Sequence, residues 1–342
     1  MSVKSPLFVL LVALLILLAA CGDQAAPAGD GGLSVDTVSY ASASSDAMDL
    51  MIQWSTAELF LPDLGFKETD IIVLDDTLII AALISGEAWM GQTGTSLIWA
   101  AMDQGDVDLV MVGIDKDDEV RILGTRPGIA TVEDLVPGTT ISGGDVGDWD
   151  ELVLREILVD LGVDPDTLEI IAFGGGADSR MAAMIAGQLD AGIQQPRNIG
   201  PLTRAGGAIL FEEAVATPQE AWVVTREFFD EHRDAVCAMV KGRIQGKQWA
   251  AEGPDSSDNI EEATEIVMKH GIEPTEDELG DWQREMEGNH SLDGGATAAS
   301  LDKHVVNLQS LDMVSADFDW RDHSDFSCVW EAQEELGLQK RP

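Results

Sequence analysis

The feature that most constrains the fold of this chain is a regular alternation of short apolar strands with helices. Residues 35–40 and 70–74 (DIIVL) predict buried strands, and a helical stretch follows each of them. Short strands that alternate with helices are typical of an α/β architecture with mainly parallel pairing. This first unit comprises strands at 35–40, 70–74 and 108–114 and helices at 48–60, 77–85 and 96–102.

A second α/β unit begins after Arg126-Pro127-Gly128, where the alternation restarts. The sequence EAWVVT at 220–225 favours a strand that returns to the first unit. The second unit is therefore interpreted as an insertion into the first. Its predicted strands lie at 139–142, 168–173, 190–194 and 208–211, and its predicted helices lie at 131–135, 148–161 and 179–186.

The chain from Arg226 onward is rich in helices. They are predicted at 227–251, 259–270, 276–287, 297–311 and 326–336. Together, these patterns divide the chain into a first lobe (34–126), a second lobe (127–219) and a helical return (220–342). The length suits two compact domains, and a hydrophobic content of 45% is enough to give each a core.

The first 21 residues, MSVKSPLFVLLVALLILLAAC, favour export from the cytoplasm. Lys4 precedes an unbroken apolar run at 7–20, which is shorter than the roughly 20 residues of a membrane-spanning helix. The small residues before Cys21 resemble the lipobox of bacterial lipoproteins. That resemblance implies a signal peptide at 1–20, a lipidated Cys21, and a flexible tether at 21–33. An ordinary signal peptide and a short anchor are the alternatives.

Charge excludes some partners. The chain has 62 acidic and 20 basic residues, a formal net charge of -42. Nucleic acid and anionic membrane surfaces would be repelled, so no nucleic-acid partner is expected. The acidic residues are dispersed, which indicates a solvated acidic surface.

The number of cysteines is compatible with a disulfide formed in an oxidising compartment outside the cytoplasm. If Cys21 carries lipid, Cys237 and Cys328 remain as an even pair, either as a disulfide or as two buried thiols. No close spacing of cysteine and histidine predicts a zinc site. Neither a metal nor a cofactor is expected.

Four loops rich in Gly, Ser, Thr and Asp lie between a predicted strand and a helix, where α/β proteins bind ligands. They lie at 42–46 (SASSD), 91–96 (GQTGTS), 143–150 (GGDVGDWD) and 174–180 (GGGADSR). Glycines allow close approach to a ligand, although such segments are also ordinary helix caps. The candidate contacts are Ser44, Asp46, Gln92, Thr93, Thr95, Ser96, Asp145, Trp149, Asp178, Arg180 and Gln194.

Four stretches resemble the extracytoplasmic substrate-binding proteins of ABC transporters, in the group that includes nitrate, sulfonate, taurine and thiamine-pyrimidine-precursor binders. The resemblance covers about 35–251. The stretches are 82–87 (ALISGE) followed by GQTGTS, 129–138 (IATVEDLVPG), 161–165 (LGVDP) and 180–191 (RMAAMIAGQLDA).

The resemblance implies a two-lobed periplasmic-binding-protein type II fold, with mostly parallel sheets flanked by helices and a helix-rich C-terminal part. The chain would cross to the second lobe near 124–128 and return near 217–225. A small polar organic solute would lie between the lobes, and hinge closure would bury it. The implied protein is a monomer outside the cytoplasm, in the periplasm or on the outer face. It would be held at the membrane by its lipid anchor and would deliver solute to an ABC permease.

Two interpretations of the ligand remain open. An anion would use amides and hydroxyls around Thr93, Thr95 and Ser96, with Arg180 as the nearby cation. A cation would use carboxylates, with the indole of Trp149 over its charge. The carboxylates in question are Asp46, Asp145, Asp148, Asp150 and Asp178. Trp149 is a candidate contact in both cases, unless it packs beneath its loop. We favour a ligand with an amino or other polar organic group.

An enzyme and a ligand-sensing lipoprotein are the two alternative classes of function. An enzyme is disfavoured because no Gly-x-Ser-x-Gly, His-Glu-x-x-His or phosphate-loop lysine pattern occurs. All five histidines fall in the helical part, away from the predicted cleft: His232, His270, His290, His304 and His323. A ligand-sensing lipoprotein, which would present its closed form to a receptor, would use the same two-lobed clamp.

Overall fold

The computed structural model describes residues 32–341 apart from 45, 106, 146–148, 175, 253–256, 277, 281, 283–285 and 287–289. The predicted signal peptide, Cys21 and most of the tether lie outside the described residues, as does Asp148. Within the described part of the chain, no helix is long and apolar enough to cross a membrane.

The first α/β unit is the beginning of what we call lobe one (33–114 and 220–341). Its strands are β1 (Thr37–Ser42), β2 (Glu68–Val73) and β3 (Met90–Gly94), and its helices are α1 (Ala47–Ser55), α2 (Asp76–Ser85) and α3 (Thr95–Gln104). β1 pairs in parallel with both β2 and β3. The Asp46 carboxylate starts α1 by accepting from the amide of Met48 at 2.8 Å. A π-helical turn, Thr56–Phe60, extends α1.

Two long strands connect the lobes, β4 (Leu109–Thr125) and β8 (Ile209–Thr225). They pair antiparallel along their length, with irregular register between Met111 and Asp118. β8 also pairs with β3 of lobe one, and β4 pairs with β7 of lobe two from Ile122 onward. The first crossing between lobes therefore lies within β4, earlier in the chain than the 124–128 segment that the sequence favoured.

Lobe two (122–215) repeats the α/β pattern. Its elements are β5 (Thr140–Gly144), α4 (Trp149–Asp160), β6 (Glu169–Ala172), α5 (Gly176–Ile185), β7 (Ala191–Gln194) and α6 (Ile199–Arg204). β5 pairs in parallel with β6 and β7. The strand order through both lobes is β2-β1-β3-β8-β4-β7-β5-β6. Pairing is thus parallel within each α/β unit and antiparallel wherever a crossing strand takes part.

The C-terminal part adds helices to lobe one. They are α7 (Arg226–Glu231), α8 (Arg233–Ala251), α9 (Ser257–Lys269), α10 (Ala298–Ser310) and α11 (Ser327–Glu335). Cys237 on α8 and Cys328 on α11 form a disulfide, with their Cα atoms 4.7 Å apart. Of the helix expected at 276–287, residues 276, 278–280, 282 and 286 are described, and all are helical.

Each lobe has its own apolar core. Lobe one packs strands and helices around residues such as Trp99, Trp222 and Val240, and a smaller cluster joins α1 to α8 and α9. The main core of lobe two includes Ile141 and Ile193. Separate cores allow each lobe to remain folded while the segments between them bend.

Two sequence expectations about elements were wrong. The segment at 91–96 is not a loop, because its first four residues complete β3. At this point β3 lies close to α2. Gly91 allows the approach, because an added Cβ would lie 2.6 Å from Cγ2 of Ile79. The strands expected at 208–211 and 220–225 are the two ends of one strand, β8. Its polar middle does not show the apolar pattern of a buried strand.

Candidate functional site

A cavity of about 710 Å³ lies between the two lobes. Lobe one contributes the segments that follow β1 and β2, lobe two contributes those that follow β5 and β6, and the crossing strands form part of the wall. A volume in this range suits a small molecule. The lining residues include Ser44, Asp46, Asp49, Asp75, Asp76, Lys116, Asp145, Asp150, Gly174, Asp178, Arg180, Arg197, Glu220, Glu278 and His290.

The cavity wall is strongly acidic. Among the described residues it carries nine Asp and Glu side chains against three cations, namely Lys116, Arg180 and Arg197. Each of these cations already faces a carboxylate. The site therefore differs from a basic pocket built to receive an anion.

Lys116, from the middle of β4, is buried at the floor of the cavity. Its Nζ lies 2.7 Å from Oδ2 of Asp49 on α1 and 3.3 Å from Oε1 of Glu220 on β8. Burial favours neutral carboxyls, but the Lys116 ammonium lowers the pKa of Asp49 to about 2. Glu220 differs. Burial raises its pKa to about 8, against the effect of Lys116 and with help from Asp49 and Asp115.

Arg197 connects the two lobes across the cavity. It lies in a 3₁₀ turn of lobe two, and its Nη1 forms an ion pair with Oδ2 of Asp46 in lobe one. Its Nε also lies 3.6 Å from Oδ1 of Asp178 in lobe two. Burial raises the pKa of Asp46 despite the nearby guanidinium.

Asp150, at the start of α4, holds two arginines. Its carboxylate accepts from Nε of Arg121 at 2.9 Å and from Nη2 of Arg180 at 2.6 Å. Nε of Arg180 also donates to the carbonyl of Ile193 at 3.0 Å. Asp150 and Arg180 therefore neutralise each other at the wall of lobe two. Neither offers an unpaired charge to a ligand.

His290 lines the cavity, which corrects the expectation that all five histidines lie away from the cleft. A bridge between the backbones of His290 and Lys116 holds the segment against β4. The ring is buried, its Nε2 lies 3.3 Å from Oδ1 of Asp49, and burial lowers its pKa to about 3. No sequence motif marked this residue, because a contact with a distant strand places it.

Five of the predicted contacts line the cavity: Ser44, Asp46, Asp145, Asp178 and Arg180. They follow the C-terminal ends of strands or open the next helix, as the sequence pattern indicated. Ser44 donates its hydroxyl to Asp49, and the others are charged.

Trp149 occupies a different place from the one expected. Its side chain is buried in the core of lobe two, and the Arg121 guanidinium lies 4.8 Å from the centre of its ring. It is not among the residues that line the cavity. The α4 helix begins at Trp149, and the indole packs with the apolar residues of lobe two.

The other expected contacts also point into the protein. The Thr93 hydroxyl donates to Asp76 at 2.6 Å, and the Thr95 hydroxyl donates to the carbonyl of Pro218 at 2.6 Å. Gln92 donates to Glu220 at 2.6 Å. Ser96 and Gln194 are buried in α3 and β7. These side chains support the wall of the cavity without lining it.

A buried charge network lies behind the cavity floor. Asp115 on β4 is fully buried, and its Oδ1 lies 2.7 Å from Nζ of Lys247 and 3.0 Å from Nη2 of Arg243. Trp222 on β8 donates its indole hydrogen to the same oxygen at 2.7 Å. The network ties both crossing strands to α8.

Among the described residues, no group of three or more His, Cys, Asp or Glu side chains could hold a metal ion.

Two α/β lobes joined by crossing strands around a central cavity define a periplasmic-binding-protein fold. A family model described as NMT1/THI5 like matches residues 68–257, which is more than half of the chain. The chain therefore belongs to this family. Comparison with curated protein sequences gave no significant match.

Solved structures with the same fold include three binding proteins. The ligand-binding component of an ABC-type import system from Staphylococcus aureus, with zinc bound, is 11% identical with a TM-score of 0.68, covering 87% of this chain and 99% of that one. The periplasmic aliphatic sulphonate binding protein SsuA from Escherichia coli is 14% identical with a TM-score of 0.65, covering 85% and 92%. The periplasmic nitrate-binding protein NrtA from Synechocystis is 13% identical with a TM-score of 0.63, covering 89% and 90%.

Proposed function

We propose that this chain is the extracytoplasmic solute-binding component of an ABC importer, and that it is not an enzyme. The observation that carries the proposal is a cavity whose wall comes from both lobes and from the strands that join them. A solute that contacts both lobes has a different affinity for the open and closed arrangements, so it can shift the equilibrium between them.

The family and the fold support this proposal. The three solved structures described above are named as binding proteins or as a component of an import system. The proposed solute is a small polar organic molecule, and the proposed partner is a membrane permease that recognises the closed form. The proposed working unit is a monomer.

The proposal includes attachment to the membrane through a lipid on Cys21. The lipobox-like sequence at the end of the apolar run supports this attachment. A Cys21→Ser variant should leave the membrane fraction and appear in the soluble exported fraction. Retention of the variant in the membrane would contradict lipid anchoring.

Binding is tested with the purified full-length chain. A solute that binds the folded state raises the melting temperature in proportion to the logarithm of its concentration. We expect one chemical class, from a panel of amines, betaines, sulfonates, nitrate and pyrimidines, to give a rise with this dependence on concentration. The same solute should reduce the radius of gyration in X-ray scattering as the lobes close.

Import is tested in cells. Deletion of the gene should reduce uptake of the radiolabelled solute, and the unaltered gene should restore it. Normal uptake in the deletion strain would contradict the importer role, although binding in vitro would still show a solute receptor. No binding, together with native mass spectrometry that detects no retained solute, would contradict the proposed function as a whole.

A further inference from the structure

The charged groups of the cavity wall indicate the charge of the solute. The three cations of the wall are paired with Asp49, with Asp150, and with Asp46 and Asp178. An anionic solute would have to displace one of these carboxylates while lying among the others. A cationic solute meets no such competition.

Two carboxylates face the cavity from opposite lobes without a cation of their own. Asp75 follows β2 in lobe one, and Asp145 follows β5 in lobe two. Within the part of the chain that the structure describes, no ion pair is present at either one. Asp75 precedes α2 at the capping position, yet its side chain makes no capping hydrogen bond.

The Asp145 carboxylate lies beside the backbone of Gly174 at the cavity. Gly174, which follows β6, lies against this carboxylate, and a Cβ on Gly174 would be 3.4 Å from Oδ1 of Asp145. Two carboxylates on separate lobes repel each other as the lobes approach. A positive group between them would replace this repulsion with attraction and would favour closure.

An independent observation at the same cavity comes from His290. Its side chain is 4% exposed, and its Nδ1 has no hydrogen-bond partner among the described residues. The neighbouring Asp49 oxygen can only accept a hydrogen, which favours the tautomer with its hydrogen on Nε2. Nδ1 is then a buried acceptor that lacks a donor, and such groups are normally satisfied.

We propose that the cavity takes a small organic amine or guanidine, with a positive nitrogen between Asp75 and Asp145 and an N–H directed to Nδ1 of His290. The cavity, about 710 Å³, has room for such a molecule. This inference rests on the proposed solute-binding function and names its ligand class, which is cationic.

The inference is tested with probes of different charge, of which 1,4-diaminobutane, 1,4-butanediol and succinate share a four-carbon chain. Titration calorimetry on the full-length protein would compare 1,4-diaminobutane, agmatine and spermidine with the neutral 1,4-butanediol and the anionic succinate. Ethanesulfonate and nitrate would complete the panel. We expect saturable binding of at least one of the three amines, and none by the diol, succinate, ethanesulfonate or nitrate.

Variants of the protein then test where the positive group of the amine binds. Removal of both carboxylates, in Asp75→Asn with Asp145→Asn, should weaken amine binding by roughly tenfold or more, because each charge-assisted contact is lost. Asparagine retains the shape of both side chains and can still precede α2. Glu133→Gln, an exposed carboxylate outside the cavity, is the matched control and should leave binding unchanged.

The possible failures are distinguishable. Saturable binding of ethanesulfonate, nitrate or succinate in preference to the amines would overturn the cationic ligand and leave the binding function intact. Amine binding that the double variant does not weaken would overturn the placement between Asp75 and Asp145. Absence of binding by every probe, with no retained solute in native mass spectrometry, would overturn this inference together with the proposed function.

Discussion

At the scale of single residues, the packing of the crossing strands against α8 depends on buried charges that are matched in sign. Asp115 lies between Lys247 and Arg243 in the interior, and the side chain of Lys247 is 0% exposed. Although burial opposes ionisation, the two cations hold the pKa of Asp115 far below its usual range. Moving three charged groups out of water carries a large cost, which their mutual contacts offset only while all three are present.

Asp115→Asn should therefore be strongly destabilising. It leaves two buried cations without their counter-ion, which typically costs about 3–5 kcal/mol. Urea denaturation followed by tryptophan fluorescence would measure this loss in the free energy of unfolding. Asp36→Asn is the matched control, because Asp36 pairs with Lys67 at the exposed surface and should have no measurable effect. Equal stability of the two variants would contradict the role of Asp115.

Glu220 gives the protein a pH dependence with a definite sign. Its pKa is about 8 in the folded protein, compared with the ordinary 4.5. Between these values the folded chain holds a proton that the unfolded chain has released, so stability falls as the pH rises. Glu220→Gln cannot ionise and should gain on the unaltered protein by up to about 1.4 kcal/mol per pH unit between about pH 5 and pH 8. Urea denaturation across this range would measure the difference, and a constant difference would contradict the raised pKa.

At the scale of elements, close packing of α8 against the end of α1 depends on two glycines one turn apart. A Cβ on Gly242 would lie 2.4 Å from Cδ2 of Leu61, and one on Gly246 would lie 2.0 Å from Oγ1 of Thr56. Residues four apart share one face of a helix, so the two glycines form a shallow groove. The π-helical turn lies in this groove.

Gly246→Ala should destabilise lobe one by about 1–3 kcal/mol, because Thr56 and the π-helical turn have to shift. Differential scanning calorimetry would show the change as a lower melting temperature. The control is Gly280→Ala, because a Cβ on Gly280 meets no described atom within 4 Å. That variant should be neutral or slightly stabilising. A melting temperature for Gly246→Ala equal to that of the control would mean that the groove is not required.

Some of the helices and strands could be predicted from the sequence, and others could not. The helix expected at 148–161 is observed as Trp149–Asp160, because its apolar period and flanking glycines are local signals. The long crossing strands were read as shorter segments. Residues 115–121 (DKDDEVR) have the composition of a surface loop. The burial of Asp115 in β4 depends on partners far along the chain, such as Lys247. A local sequence pattern does not reveal such distant partners.

The candidate site was predictable to a similar degree. Asp46, Asp145 and Asp178 line the cavity because residues after parallel strands meet at one edge of a sheet. Trp149 was misplaced because a loop sequence does not show whether an indole turns into the core or into the cleft. His290 was missed because the segment that contains it reaches the cavity only through its contact with β4.

At the scale of the whole molecule, ion pairs as well as strands connect the lobes. Arg197 of lobe two pairs with Asp46 of lobe one at the cavity, and Lys303 on α10 pairs with Glu156 on α4 at the surface. The side chains of Arg197 and Asp46 are 14% and 16% exposed, so solvent screens this pair less than a surface pair. The Arg197 pair therefore favours the arrangement in which the lobes are close.

Arg197→Gln should shift the solute-free protein toward the open arrangement. If the pair contributes about 1 kcal/mol, the ratio of open to closed molecules rises roughly fivefold. Small-angle X-ray scattering of the full-length variant should then give a larger radius of gyration, without loss of either core. Arg155→Gln is the matched control, because Arg155 pairs with Glu151 on the same helix of lobe two and has no part in holding the lobes together. An identical radius of gyration for both variants would show that the Arg197 pair does not hold the lobes together.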